Sequence, residues 1–395
     1  MSQQFNWQLI NDSITKEDKK ALTDFINTDG VRFTNGEKVK EFEKKWSEWV
    51  GCKYSVFVNS GASANYIMAS IMKEIHGVGE VIVPPLGWVS DIAPLVNLGF
   101  TPVFVDIDKK NMSITYENIV NAMSSKTVGI TLVHLLGFDG LSLYKNEDIV
   151  KLAKDNKLFL IEDCCEAHGA THNGTRVGNF GNVSNFSFYF GHHITSVEGG
   201  MVCTNSKILY DYAKLYRSHG MTREGSTHLQ KAYEINYPEV NPLFTFAVPG
   251  YNVRNQEFNA VLGLSQMDRL DYNIECRREN LEIWLDTLDS DKFFTEFNRE
   301  GNSNFALPLI LVEKDLEYFQ KVCKLLEEEC VEYRVGTAGG GNQARQPYLK
   351  DYHFKINNNL DNVNHIHDFG LYVGNHPELR KEQIINLCIK LNEIV

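Results

Sequence analysis

No stretch of this 395-residue chain approaches the roughly 20 consecutive apolar residues that a membrane-crossing helix needs. Runs rich in lysine or arginine are missing as well. With 39 basic against 51 acidic residues, a net charge of −12 and a pI near 5.5, nucleic acid and anionic membrane surfaces are not expected partners. The opening MSQQFNWQLINDS has no basic segment followed by an apolar one, so no export signal and a cytoplasmic location are expected. The eight cysteines, Cys52, Cys164, Cys165, Cys203, Cys276, Cys323, Cys330 and Cys388, form no C-x-C or C-x-x-C pair. Reduced thiols are therefore expected, and a zinc or iron–sulfur site built on local spacing is not. No internal repeat or low-complexity segment appears.

What the chain does have is alternation. Short β-rich runs occur at 54–60, 79–85, 101–108, 128–137, 157–164, 184–191 and 199–205, and amphipathic stretches such as NEDIVKLAKDN (146–156) lie between several of them. That pattern predicts βαβ units and a mostly parallel sheet, with the ligand crevice at the carboxyl ends of the strands. A single long helix is expected from about 255 to 288. It leads to a smaller α/β unit made from FALPLILVE (305–313), a helix over 316–329, a Gly-rich loop at 336–347 and a closing helix. The expected division is a large domain over 1–260 and a bridging helix with a small domain over 261–395.

Four segments carry potential chemistry. In Asn59-Ser60-Gly61-Ala62-Ser63 a strand gives way to a helix, whose free N–H groups and dipole suit a phosphate; the same residues also read as an ordinary helix cap. Asp163 ends the apolar strand LFLIED, where a carboxylate needs a partner; a pyridinium nitrogen would serve, and so would the next turn. Trp88 follows another strand and either stacks on a flat ring or belongs to the core. His192 and His193 are adjacent, so on extended backbone they point to opposite sides and one site takes only one of them. By themselves they could be metal ligands, a base or surface residues, and such a pair is more often structural than catalytic.

Taken together, these segments resemble the nucleotide-sugar aminotransferase family, which has the type I (aspartate aminotransferase) fold. The resemblance runs from FTNGEKVKEFEKKW (33–46) and VNSGASAN (58–65) through PPLGWVS (84–90), IEDCCEAHGA (161–170) and FSFYFGHHITSVEGGMV (186–202) to SHGM (218–221) and GYNVRNQEFNAVLG (250–263). It implies pyridoxal 5′-phosphate or pyridoxamine 5′-phosphate as cofactor. Gly61, Ala62 and Ser187 would hold its phosphate, Trp88 would stack on its ring, Asp163 would pair with the pyridine nitrogen, and Glu166 would sit near the ring hydroxyl. Asn252 would reach the phosphate in the other subunit of a homodimer with shared active sites.

The departure from the family is His192. Counting five from Ser187 and six back from Glu198 lands on the position of the family's Schiff-base lysine, and here it is histidine. Lys207, the next lysine, lies beyond the following strand. An imidazole cannot form an imine with the cofactor aldehyde. The chain therefore resembles the branch containing GDP-4-keto-6-deoxymannose 3-dehydratase, as do GGNQARQPYL (340–349) and LYVGNHPEL (371–379). That branch implies a dehydratase in which His192 moves the proton, a nucleotide-linked 4-keto-6-deoxysugar is the substrate, and L-glutamate donates the amino group that is later lost as ammonia. An ordinary sugar aminotransferase and an inactive cofactor-binding homologue are the alternatives. His219, Arg254, Arg345 and His376 are the expected substrate contacts, and no metal is expected.

Overall fold

A computed structural model describes residues 6–141 and 148–395 of the protein. The seven apolar runs all form strands of one sheet: β1 Tyr54–Val58, β2 Glu80–Val83, β3 Thr101–Val105, β4 Thr127–Val133, β5 Phe159–Asp163, β6 Val183–Ser187 and β7 Gly200–Thr204. Further along the chain come β8 Ala306–Ile310, β9 Tyr333–Val335, β10 Lys355–Asn357 and β11 Gly370–Gly374. The large sheet is ordered β1-β7-β6-β5-β4-β2-β3-β10, and β8-β11-β9 form a small antiparallel sheet. Only β7 runs antiparallel to its neighbours in the large sheet. Strands such as β2, β5 and β6 are buried at every residue. Elements cover both faces of the sheet, which is why these strands read as continuous rather than alternating apolar runs.

The helices that matter for the site are α1 Gly61–His76, α2 Ile149–Asp155, α3 Glu257–Met267, α4 Leu270–Thr287, α5 Leu316–Glu328 and α6 Lys381–Asn392. The expected helix at 146–156 is seen as α2, and residues 146–147 of that expectation lie outside the described residues. α1 is apolar on most of its surface. Ala64, Ile67, Met68, Ala69, Ile71 and Met72 are all buried, and the helix packs across β5, β6 and β7. Among the described residues no helix is long and apolar enough to cross a membrane.

Two expectations need correction. The helix over 255–288 is two helices, broken at Asp268–Arg269, where Arg269 has φ −113° and ψ 3°. The break lets the Arg269 guanidinium reach the buried Asp18 carboxylate at 2.5 and 3.1 Å and the Ser13 carbonyl at 2.8 Å. A tertiary ion pair decides it, and no proline or glycine marks the place. The second concerns β10, a strand over which the sequence analysis names no element: the three residues Lys355–Asn357 close the edge of the large sheet beside β3.

The chain also crosses the expected division at residue 260 twice. β10 returns to the large sheet. In the other direction Trp7, buried against Trp284, pairs with Val331, and its indole N–H donates to the Gly374 carbonyl at 2.9 Å. That anchor lays residues 9 and 10 across the cleft between the two sheets.

Candidate active site

The carboxyl ends of β1, β2, β4, β5 and β6 gather along one edge of the large sheet, as parallel alignment requires. There they border a cavity of about 690 Å³, closed on its far side by Phe305, Arg334 and Tyr372 of the small unit and by Leu9 and Ile10. Gly61, Ala62, Trp88, Asp163, Glu166, Ser187 and His192 all line it. No lysine does. Lys207 pairs instead with Asp211 at 3.2 Å and lies over the Tyr210 ring.

The phosphate-type corner is built by α1. Ser60 caps the helix, its Oγ accepting the Ser63 N–H at 3.0 Å, which leaves the N–H groups of Gly61 and Ala62 without helical partners. Gly61 sits so close to β6 that a Cβ there would lie 2.8 Å from the Ser187 Cβ and 3.2 Å from the Cys165 Sγ. Backbone N–H groups, a helix dipole and the Ser187 hydroxyl converge on this corner.

Asp163 lies at the other end, at the tip of β5. Its Oδ2 accepts from the amides of Asn65 at 2.9 Å and Asn185 at 3.1 Å, and its Oδ1 accepts the Cys165 N–H at 2.9 Å. Burial raises its proton affinity, but hydrogen bonds from Asp91, Asn65 and Cys165 outweigh it and hold the carboxyl below its ordinary range. Here is an ionised acceptor in a water-poor pocket, the group that a ring nitrogen needs. The Trp88 indole is 57% exposed, so it is a cavity wall and not a core residue. Glu166 accepts the Leu136 N–H at 2.7 Å. Burial pushes its carboxyl up to about 7, helped by the charge of Asp163 and opposed by the Leu136 N–H.

The two histidines separate cleanly. After β6 the chain turns, the His192 N–H bonding back to the Tyr189 carbonyl at 3.0 Å, and the His192 ring faces the cavity beside Phe305. His193 points into the interior, where its Nε2 lies 3.1 Å from both the carbonyl and the Oγ of Ser303. The His192 Nδ1 is buried without a hydrogen-bond partner. Burial brings its imidazole down to about 4, against the pull of Asp163 and with the help of the Arg277 charge. A neutral imidazole with an unused nitrogen, an ionised aspartate and a glycine-lined cradle are a donor set that fits pyridoxal or pyridoxamine phosphate.

The other expected residues lie elsewhere. Asn252 is exposed and pairs with Ser218; His219 next to it is exposed with φ 61°, and Arg254 bridges to Val58. None of the three lines the cavity of the single chain. Arg345 is held by Asp368 at 2.8 Å and by Asn364 at 2.7 Å. His376 lies beside Glu378 in a separate small polar pocket with Asn6, Gln8 and Gln383. None of the four expected substrate residues lines the cavity of the single chain.

The comparisons with known proteins agree with this geometry. Residues 12–392 match the model of the DegT/DnrJ/EryC1/StrS aminotransferase family. The chain belongs to that family. It is 33% identical over 392 residues to a GDP-4-keto-6-deoxy-D-mannose 3-dehydratase of Yersinia pseudotuberculosis, covering 97% of each chain. It is 29% identical over 390 residues to a GDP-perosamine synthase of Escherichia coli O157:H7, covering 96% of each. Its fold superposes with a TM-score of 0.86 on an E. coli GDP-4-keto-6-deoxy-D-mannose-3-dehydratase with bound hydrated PLP, at 29% identity, over 98% of this chain and 99% of that one. The aminotransferase fold expected from the resemblance is thus the observed one.

In this member of the family, sequence reasoning missed three contributors to the cavity. Asp91 stands directly after the PPLGWVS motif and closes it from below. Arg334 brings a guanidinium to the wall from β9. Leu9 and Ile10 come from the N-terminal segment, where buried Trp7 was the available signal. Ile10 approaches the turn before His192 so closely that a Cβ on Gly191 would lie 2.7 Å from its Cδ1.

Proposed function

We propose that this protein is a pyridoxal/pyridoxamine phosphate-dependent 3-dehydratase. It removes the C3 hydroxyl of a nucleotide-linked 4-keto-6-deoxysugar, with glutamate as amino donor and release of ammonia. One observation carries the reading: among the described residues His192, and no lysine, faces the cavity in which Gly61, Asp163, Glu166, Ser187 and Trp88 meet. When bound, the cofactor supplies the electron sink that lets a hydroxyl leave the carbon beside a keto-derived centre. Gly61, Ala62 and Ser187 would hold its phosphate, Trp88 would cover its ring, Asp163 would take the ring nitrogen, and Glu166 would lie near the ring hydroxyl. The His192 imidazole, kept neutral by burial, would take the proton given up by the amine-bearing carbon of the cofactor and hand it to the hydroxyl as the C3–O bond breaks, so that water leaves. A lysine would also trap the aldehyde and favour exchange of the amino group. Its replacement biases the site towards elimination.

The proposal includes a homodimer in which Asn252 reaches the cofactor phosphate of the other subunit. Its support is the exposure of Asn252 together with uncovered apolar side chains at Leu243, Phe244 and Phe246 on the same stretch of chain. The reaction is tested by supplying glutamate and a panel of 4-keto-6-deoxysugar nucleotides and reading product mass and ammonia. A 3-deoxy product with ammonia supports the dehydratase; an aminosugar without ammonia makes the protein an aminotransferase. His192→Asn should abolish the 3-deoxy product. Full activity in that variant, with loss in His193→Asn, would give the proton transfer to the wrong histidine.

A further inference from the structure

The mechanism above gives no task to Asp91, although it is the second buried carboxylate of the cavity. Asp91 is 6% exposed and Asp163 5%. The same Asn65 amide nitrogen lies 2.9 Å from Asp163 Oδ2 and 3.5 Å from Asp91 Oδ1, so the two carboxyl groups share one donor. The partners of the pair are amides: Asn65, Asn185 and the Cys165 N–H for Asp163, Asn65 and the Trp88 N–H (3.0 Å to Oδ2) for Asp91. The titratable groups that bear on the pair are Glu166, Cys165, Tyr348 and His192, none of them a permanent cation. Two adjacent, almost fully buried carboxylates with no cation beside them among the described residues resist ionising together; one proton stays between them.

We propose that Asp91 is a positioning residue that keeps a proton at neutral pH and donates it in a hydrogen bond to Asp163, holding that carboxylate ionised and aimed at the cofactor ring nitrogen. The direction of sharing follows from the surroundings. Asp163 accepts three amide hydrogen bonds at 3.1 Å or less, which favour its charge, and Asp91 accepts one. Burial and the neighbouring charge of Asp163 push the Asp91 carboxyl well above its ordinary range. The Asp91 Oδ2 also clasps the Trp88 backbone, so one side chain ties the stacking residue to the ring-nitrogen acceptor. A side chain with the shape of aspartate but a permanent N–H, asparagine, would keep the hydrogen bond and lose the titratable proton.

The role towards the ring nitrogen rests on the cofactor reading; the proton on Asp91 does not. The first measurement therefore uses the cofactor-free protein. Infrared difference spectra at neutral pH should contain a protonated-carboxyl band that survives in Glu166→Gln, where Glu166 cannot contribute, and is lost when Asp91→Asn is added to that variant. No such band in Glu166→Gln, or a band unchanged when Asp91→Asn is added to it, overturns the proposal without any variant having to bind cofactor. The second measurement is the affinity for pyridoxamine phosphate. A lost hydrogen bond to a charged group lowers it about tenfold to hundredfold in Asp91→Ala, while Asp91→Asn stays within about threefold of wild type. Equal affinity in Asp91→Ala and wild type overturns the positioning role. Failure of the wild type to bind pyridoxamine phosphate refutes the cofactor reading instead, and leaves the infrared result to decide the proton.

Discussion

A base must be uncharged before it can act, and the surroundings of His192 make that state measurable in the absence of substrate. Burial takes its imidazole from an ordinary value of 6.5 down to about 4. In the unfolded chain the ring protonates as pH falls through 6.5; in the folded protein it stays neutral until about 4. Acid therefore favours the unfolded state, and the stability that depends on a neutral His192 is present above pH 6.5 and lost progressively below it. The full gap is worth about 3 kcal/mol, of which about 2 kcal/mol is spent by about pH 5. His192→Asn has no proton to take up. The measurement is urea unfolding of cofactor-free wild type and His192→Asn at about pH 7.5 and about pH 5. His168 and His193, both pushed well below the ordinary range by burial, titrate in both proteins and cancel in the comparison. The wild type should lose about 2 kcal/mol more than the variant over this interval. Parallel losses would mean that the ring is solvated or charged in the folded protein, and the neutral-base argument would fall.

Three further outcomes follow from the geometry of the cavity. Gly61→Ala places a methyl group 2.8 Å from the Ser187 Cβ and should cost about 1–3 kcal/mol as well as cofactor affinity; adding Ser187→Gly should restore melting temperature, whereas Ser187→Ala should not, because it keeps the colliding carbon. Glu166, pushed up to about 7, is protonated and able to donate below that pH and anionic above it, so cofactor affinity should fall as pH rises through about 7 in the wild type and stay flat in Glu166→Gln. Because no lysine among the described residues lines the cavity, borohydride added to protein and pyridoxal phosphate should leave no cofactor attached, as intact mass would report; a covalent adduct at a cavity residue would remove the basis for the dehydratase reading.

Much of the site was legible because its parts are local. Ser60-Gly61-Ala62 sits on a strand-to-helix turn, Asp163 ends a strand, and the Ser187–His192–Glu198 spacing is fixed by one turn after β6. Residues whose position depends on one short stretch of backbone leave that dependence in the sequence. The choice between His192 and His193 was readable only through the family register, since either could have faced the cavity. The four expected substrate contacts had no such support, and Arg345 and His376 are engaged by Asp368 and Glu378 instead.

By itself, then, the sequence determined seven of the eight strands of the large sheet, the edge at which the crevice forms, and the histidine in place of lysine. Each is set by composition or spacing within a few residues. The tertiary structure alone decided that Leu9 and Ile10 wall the cavity, because Trp7 is anchored more than 300 residues away at Val331 and Gly374. It alone broke the 255–288 helix, through the pull of Asp18 on Arg269. And it alone brought Asp91 beside Asp163. The meeting of β2 and β5 around β4 sets that juxtaposition, and one further buried charge becomes a shared proton only once water is excluded from both.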